Sequence, residues 1–203
     1  MEVNRRTQAE RTAATKAALK AAARALFAEH GYAGVGTQAI VDAAGVTRGA
    51  LYHQFGDKRG LFIEVFDDIE REAIGHAAGV IGAADPEDPL RAMEIGFDAI
   101  LDALTEPGIT RISLVDAPAV LGWEEWRARG EQYGMAVIEA LLARAVEVGA
   151  MQPQPLRPIA HVVLGAIDES ALYVSRAEDR NAARSEVRAV ARRIIRSFGL
   201  PLD

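Results

Sequence analysis

Cysteine is absent from all 203 residues, which excludes disulfides, zinc fingers and thiol redox sensing. Aromatics are scarce at 6%. The apolar half of the chain is instead alanine and aliphatic residues, a balance that suits packed helices more than sheets. Long apolar runs are missing as well: charges such as Glu139, Arg144 and Glu147 interrupt the most hydrophobic segments well short of membrane-spanning length. The opening MEVNRRTQAERT is polar and lacks the apolar stretch of a secretory signal. A soluble cytoplasmic protein with no membrane partner is the expectation. His30, His53, His76 and His161 are scattered without metal-ligand spacing. No Gly-rich phosphate loop, nucleophile elbow or HExxH is present. No metal, cofactor or catalytic residue is therefore expected, and an enzyme using a helical pocket is the remote alternative.

What is present is an uneven charge. The net charge is −6, yet residues 1–60 hold 9 Lys/Arg against 5 Asp/Glu, a net of +4. The remainder holds 14 against 24, a net of −10. A basic head on an acidic body puts a nucleic-acid footprint at one end.

That basic part contains the stretch GYAGVGTQAIVDAAGVTRGALYHQFGDKRGL, residues 31–61. Thr37 is a good N-cap for a first short helix that turns Ile40, Val41 and Ala44 inward. Gly45 can take the left-handed conformation that ends a helix sharply. Val46 is an apolar plug, and Thr47 caps a second helix, Arg48–Phe55. At 100° per residue, Leu51 and Phe55 share one side of it, while Gly49, Tyr52 and His53 share another with Arg48 at the leading end. This is the spacing of a helix-turn-helix.

Thr37, Ile40, Ala43-Ala44-Gly45-Val46-Thr47, Gly49, Leu51-Tyr52-His53, Phe55, Lys58 and Leu61 together resemble the DNA-binding domain of the TetR (tetracycline-repressor-like) family. The resemblance covers the first third of the chain; beyond it only the helical pattern and the length are similar. Gly36 departs from the Thr or Ser common there, and Ala50 from the Thr, so no operator sequence carries over. The resemblance implies a transcriptional regulator, most often a repressor released by a small-molecule effector bound in the helical body. A DNA-binding dimer without such a switch, or an activator, is the alternative.

Along the chain, residues 1–11 read as a flexible basic arm (Arg5, Arg6, Arg11), either a plain tail or a minor-groove contact. A helix over 12–30 has Leu19, Ala22/Ala23, Leu26 and His30 as its apolar side, with Lys16, Lys20 and Arg24 on a solvated face. Asp57 caps a long helix over 58–82 with Leu61, Phe62, Val65, Phe66, Ile69 and Ala73 inward. A loop over 82–89 precedes helices over 87–105 and 110–116, the latter ending before Pro118. A long helix over 122–150 has Trp123, Trp126, Tyr133, Val137, Leu141 and Val148 as buried candidates. The helix over 159–176 is apolar on nearly every side and must be covered all round. The last, 182–198, carries Arg184, Arg188, Arg192 and Arg196 in a row expected to pair with acidic neighbours.

The expected fold is all-α: an N-terminal three-helix helix-turn-helix domain, 1–56, then a larger ligand-binding and dimerisation domain, 57–203, in which 57–82 links the two, about nine helices in all. On the DNA face, Gln38, Arg48 and His53 suit base edges, while Thr37, Thr47, Tyr52, Lys58 and the Gly49 amide suit phosphates. Double-stranded operator DNA is the expected partner. One recognition helix reads too few base pairs, so a two-fold homodimer through 159–176 and 182–198 is expected, its heads about 34–36 Å apart. Met93, Phe97, Trp123, Trp126 and Tyr133 could line an effector cavity, with Asp98, Asp116 or Asp168 as polar handles. Asp168-Glu169-Ser170 interrupts an apolar helix, so a partner, a ligand or water must satisfy one of the three.

Overall fold

The computed structural model describes residues 8–84 and 86–199; Arg5 and Arg6 of the expected arm lie outside them. Among the described residues every regular element is helical: α1 Gln8–Gly34, α2 Thr37–Ala44, α3 Arg48–Phe55, α4 Lys58–Ala84, α5 Pro89–Leu104, α6 Pro107–Thr110, a π-helical segment Arg111–Asp116, α7 Ala117–Leu121, α8 Trp123–Glu147, α9 Leu156–Arg176 and α10 Arg180–Ser197. Residues 107–121 form one helical run, which leaves nine runs among the described residues. No helix among them is long and apolar enough to cross a membrane. Two compact units divide the chain between Asp68 and Ile69, inside α4.

The head is held by Leu19, Phe27, Ile40, Leu51, Leu61 and Phe62, all fully buried. Phe27 and Phe62 meet edge to face at 5.4 Å, and Tyr32 meets Phe62 at 5.1 Å. The inward row of α1 is Leu19, Ala23 and Phe27, a correction to the expected Leu26 and His30. An i, i+4, i+8 row puts the largest ring inside and leaves His30 exposed. The regular course of α1 breaks at Gly31, whose φ of 74° is open to glycine. Lys20 pairs with Asp68 at 2.5 Å, and Lys16 lies 5.5 Å over the Phe55 ring. The join between α3 and α4 is tight. The Asp57 carboxylate accepts from the Gly60 amide at 2.7 Å. A Cβ at Gly60 would stand 2.1 Å from the Phe55 carbonyl oxygen.

In the body, α5 packs against α8, α9 and α10, and α8 against α9. Asp88 caps α5, accepting from the Leu90 amide at 2.9 Å, with Pro89 in the first turn. Leu90, Met93, Phe97, Leu101 and Leu104 are its buried stripe. Pro118, expected to lie beyond the short helix, sits inside the helical run instead. Proline lacks an N–H and crowds the carbonyl four residues back; the wider π turn just upstream accommodates it. Trp123 is 66% exposed and Val148 is exposed too, correcting their expected burial. They stand at the two ends of α8, where Trp123 tilts against Trp126 at 5.0 Å. Met151, in the following loop, is buried.

The arginine row of α10 meets the acids of α5 as expected. Arg188 reaches Asp102 at 2.6 Å and Asp98 at 3.5 Å, and Arg192 reaches Asp98 at 3.5 Å. Arg196 joins Asp88 and the buried Glu94, both at 2.5 Å. Arg184 donates to Thr105 at 2.9 Å. Among the described residues the opposite flank of α9 and α10 lies open: Val162 and Tyr173 are 59% and 54% exposed, and Val190 and Ile194 are also open.

Candidate nucleic-acid interface and body cavity

Gly45 takes φ 64° and ψ 32°, the left-handed cap that turns the chain from α2 to α3. Ile40, Val41 and Leu51 are sunk in the head core, so Gln38, Arg48, Gly49, Tyr52 and His53 face solvent together. Thr47 caps α3, its Oγ1 accepting from the Ala50 amide at 3.3 Å. Thr37 is not a cap. Gly36 takes the cap position with extended backbone and no side-chain hydrogen bond. The Thr37 hydroxyl instead accepts from Arg48 Nη2 at 3.0 Å, tying the leading ends of both helices together.

Gln38 donates from Nε2 to Asp42 at 2.8 Å. Its amide oxygen and second N–H remain, the two groups a base edge such as adenine's requires. His53 Nδ1 lies 3.3 Å from Gln54 Nε2. A Cβ at Gly49 would meet nothing closer than Thr47 Oγ1 at 3.9 Å, so no neighbour in the head demands glycine there. Lys58 donates to the Tyr32 and Val35 carbonyls at 3.0 and 2.9 Å and sits 4.0 Å over the Tyr32 ring. It clamps the end of α1 to α4, leaving one of its three donors for a phosphate.

The body encloses an apolar cavity of about 70 Å³. Met93, Phe97 and Asp168 belong to its wall, with Ile74 of α4 and Gly130 and Gly134 of α8. Trp123 stands exposed at the start of α8. The Trp126 indole is buried and donates to the Ser113 carbonyl at 2.9 Å. Tyr133 lies 6.0 Å under Arg71. Asp98 belongs to the arginine ladder. Asp168 finds its partner inside the chain: Arg127 Nη1 donates to its Oδ2 at 2.6 Å. Burial still outweighs the guanidinium and its hydrogen bond, and pushes the Asp168 carboxyl up to about 6. Among the described residues no group of His, Cys, Asp and Glu could hold a metal ion.

Two family models divide the chain. Residues 19–65 match the bacterial regulatory proteins of the tetR family, and residues 90–198 match the tetracyclin repressor-like C-terminal domain. The chain belongs to the TetR family. The crystal structure of a TetR-family transcriptional regulator from Pectobacterium atrosepticum is similar along its whole length: 30% identity, TM-score 0.81, 98% of this chain and all of that one. The transposon Tn10 TetC protein of Escherichia coli is 26% identical over 71% of this chain and 72% of its own. The transcriptional repressor AcnR of Corynebacterium glutamicum is 38% identical over 35% of this chain and 36% of its own. This TetR-family chain is a DNA-binding transcriptional regulator, and its helix-turn-helix is the DNA-binding unit.

Two contributors went unseen in the sequence. Asp42 orients Gln38, and its i, i+4 spacing was a legible signal. Arg127 holds Asp168 across 41 residues of chain, and nothing local marks that pair.

Proposed function

We propose that this regulator is a repressor that occupies a palindromic operator as a two-fold homodimer and leaves it when a small molecule enters the body cavity. The observation that carries the reading is the cavity itself. Part of its wall is Ala73, Ile74, Ala77 and Ile81 of α4, the helix that begins two residues after the recognition helix α3. A ligand displacing that wall acts on the helix whose first turn carries Lys58 and Leu61. DNA and ligand would then favour different arrangements of one dimer.

The dimer would form through residues 159–176 and 182–198, giving a four-helix bundle. Val162, Tyr173, Val190 and Ile194 support it, since four large apolar side chains on neighbouring helices lie open. In the operator complex, Gln38, Arg48 and His53 would read base edges. Thr37, Thr47, Tyr52, the Gly49 amide and the remaining Lys58 proton would hold phosphates. Repression is the direction supported by AcnR, itself a transcriptional repressor.

The test has two steps. A thermal-shift screen of metabolites and drugs finds a ligand; calorimetry then measures it with and without operator DNA. The coupling should be on the order of 1–3 kcal/mol and reciprocal, saturating DNA weakening the ligand by the factor by which ligand weakens DNA. Equal ligand affinity in both titrations would leave a DNA-binding dimer without a switch. Light scattering that shows a stable monomer at micromolar concentration would remove the dimer.

A further inference from the structure

The cavity wall has a distinctive chemistry. Its ionisable members among the described residues are Glu70 and Asp168, both acidic, set among apolar side chains such as Met93, Phe97 and Ile138. No Lys, Arg or His joins them in the wall. Arg127 reaches Asp168 from α8 through Oδ2 alone. Oδ1 has no partner among the described residues. That single guanidinium does not repay the burial of the carboxylate, whose charged form is disfavoured. A second cationic donor at Oδ1 would repay more of it, whereas an anion there would meet a carboxylate that Arg127 holds through Oδ2 alone. Phe97 adds an aromatic ring to the wall for the hydrocarbon part of a ligand. Room exists beside Gly130, where an added Cβ would meet nothing within 4 Å.

We infer that the effector class is a small apolar amine, its ammonium donating to Oδ1 of Asp168 while its hydrocarbon part fills the space beside Gly130 and Phe97. The inference rests on the reading of this cavity as the effector site. An amine of this kind selects against carboxylates, including fatty acids, and against neutral molecules of the same shape.

Three isosteric probes decide it on the full chain: benzylamine, benzyl alcohol and benzoate, titrated by calorimetry at pH 7.5 where Asp168 is ionised. Benzylamine should bind at least tenfold more tightly than benzyl alcohol, and benzoate should not bind. In Asp168→Asn the preference for the amine over the alcohol should vanish, and in Gly130→Leu all binding should be lost. If the alcohol binds as well as the amine, or benzoate binds best, the amine class is wrong while the cavity remains a ligand site. If no probe binds, or Gly130→Leu binds benzylamine unchanged, the cavity reading fails and the inference with it. The ranking on the unaltered protein needs no variant to fold.

Discussion

Around Phe62 the head is filled by rings, Phe27 and Tyr32 closing on it at 5.4 and 5.1 Å. Around Gly130 the body leaves room, and a cavity of about 70 Å³ persists in its core. The head is a small unit that must present side chains to a rigid groove, so it gains from a core with one arrangement. The body keeps an unfilled, partly charged interior that is less stable than it could be. Selection holds stability above a threshold and does not maximise it, so such space can persist. The ring-filled packing lies in the unit that carries the helix-turn-helix, and the open space in the unit that holds the C-terminal domain match.

Five substitutions break or sharpen that contrast. Phe62→Ala removes the ring on which the head closes and should cost about 3–5 kcal/mol. Gel shift should find operator binding lost, while far-UV circular dichroism retains most of the helix supplied by the body. Loss of all helix on the same substitution would mean that head and body melt as one.

Asp168→Asn tests the body from the other side. The folded-state pKa is raised above the ordinary 3.8 to about 6. The folded chain therefore holds this proton more tightly than the unfolded one. Its stabilising contribution is present below about 4 and is lost as pH rises toward 6. The asparagine variant escapes that loss. Its stability relative to the unaltered protein should climb by about 3 kcal/mol across this window and then level off, read as a rising difference between the two melting temperatures. A difference that stays flat from pH 4 to 7 would show that burial does not dominate at Asp168.

A pair of glycines sharpens the comparison further. Gly60→Ala drives a methyl into the Phe55 carbonyl and should destabilise the head by about 1–3 kcal/mol. Gly130→Ala adds a methyl to open space inside a helix and should stabilise the body by about 0.5–1 kcal/mol. Thermal melts of the two should move in opposite directions. At the DNA face, Arg48→Ala should cost about 1–3 kcal/mol of operator affinity and relax preference at one base position. An unchanged preferred sequence would remove Arg48 from the reading face. It would then be left as the tie to Thr37.

The head was legible because its signals are local. The Gly45 cap, Thr47 and the limits of α3 follow from residue type and spacing over a few positions. Thr37 misled because a hydroxyl at a helix start reads as a cap, and only the fold brings Arg48 within 3.0 Å of it. Lys58 is only half legible: a cation beside a DNA-reading helix suggests a phosphate, while the Tyr32 and Val35 carbonyls that take two of its donors lie more than twenty residues away in sequence. In the body, apolar periodicity found the α5 stripe and the arginine row of α10. It could not tell Trp123 at a helix end from Trp126 one turn later, since both share the same spacing. The cavity borders Gly130 and Gly134, and a glycine inside a helix carries no sign of what faces it.

The contact between Gly60 and the Phe55 carbonyl has a consequence for anyone exchanging parts between regulators. A side chain at residue 60 would run into that carbonyl, so this junction requires glycine there. A chimaera cut after residue 56 would join a foreign helix to that carbonyl and inherit whatever side chain stands fourth from the seam. A cut beyond Asp68, where the compact units divide, carries the whole junction across with its own glycine, and is the seam at which a grafted reading head should keep its operator.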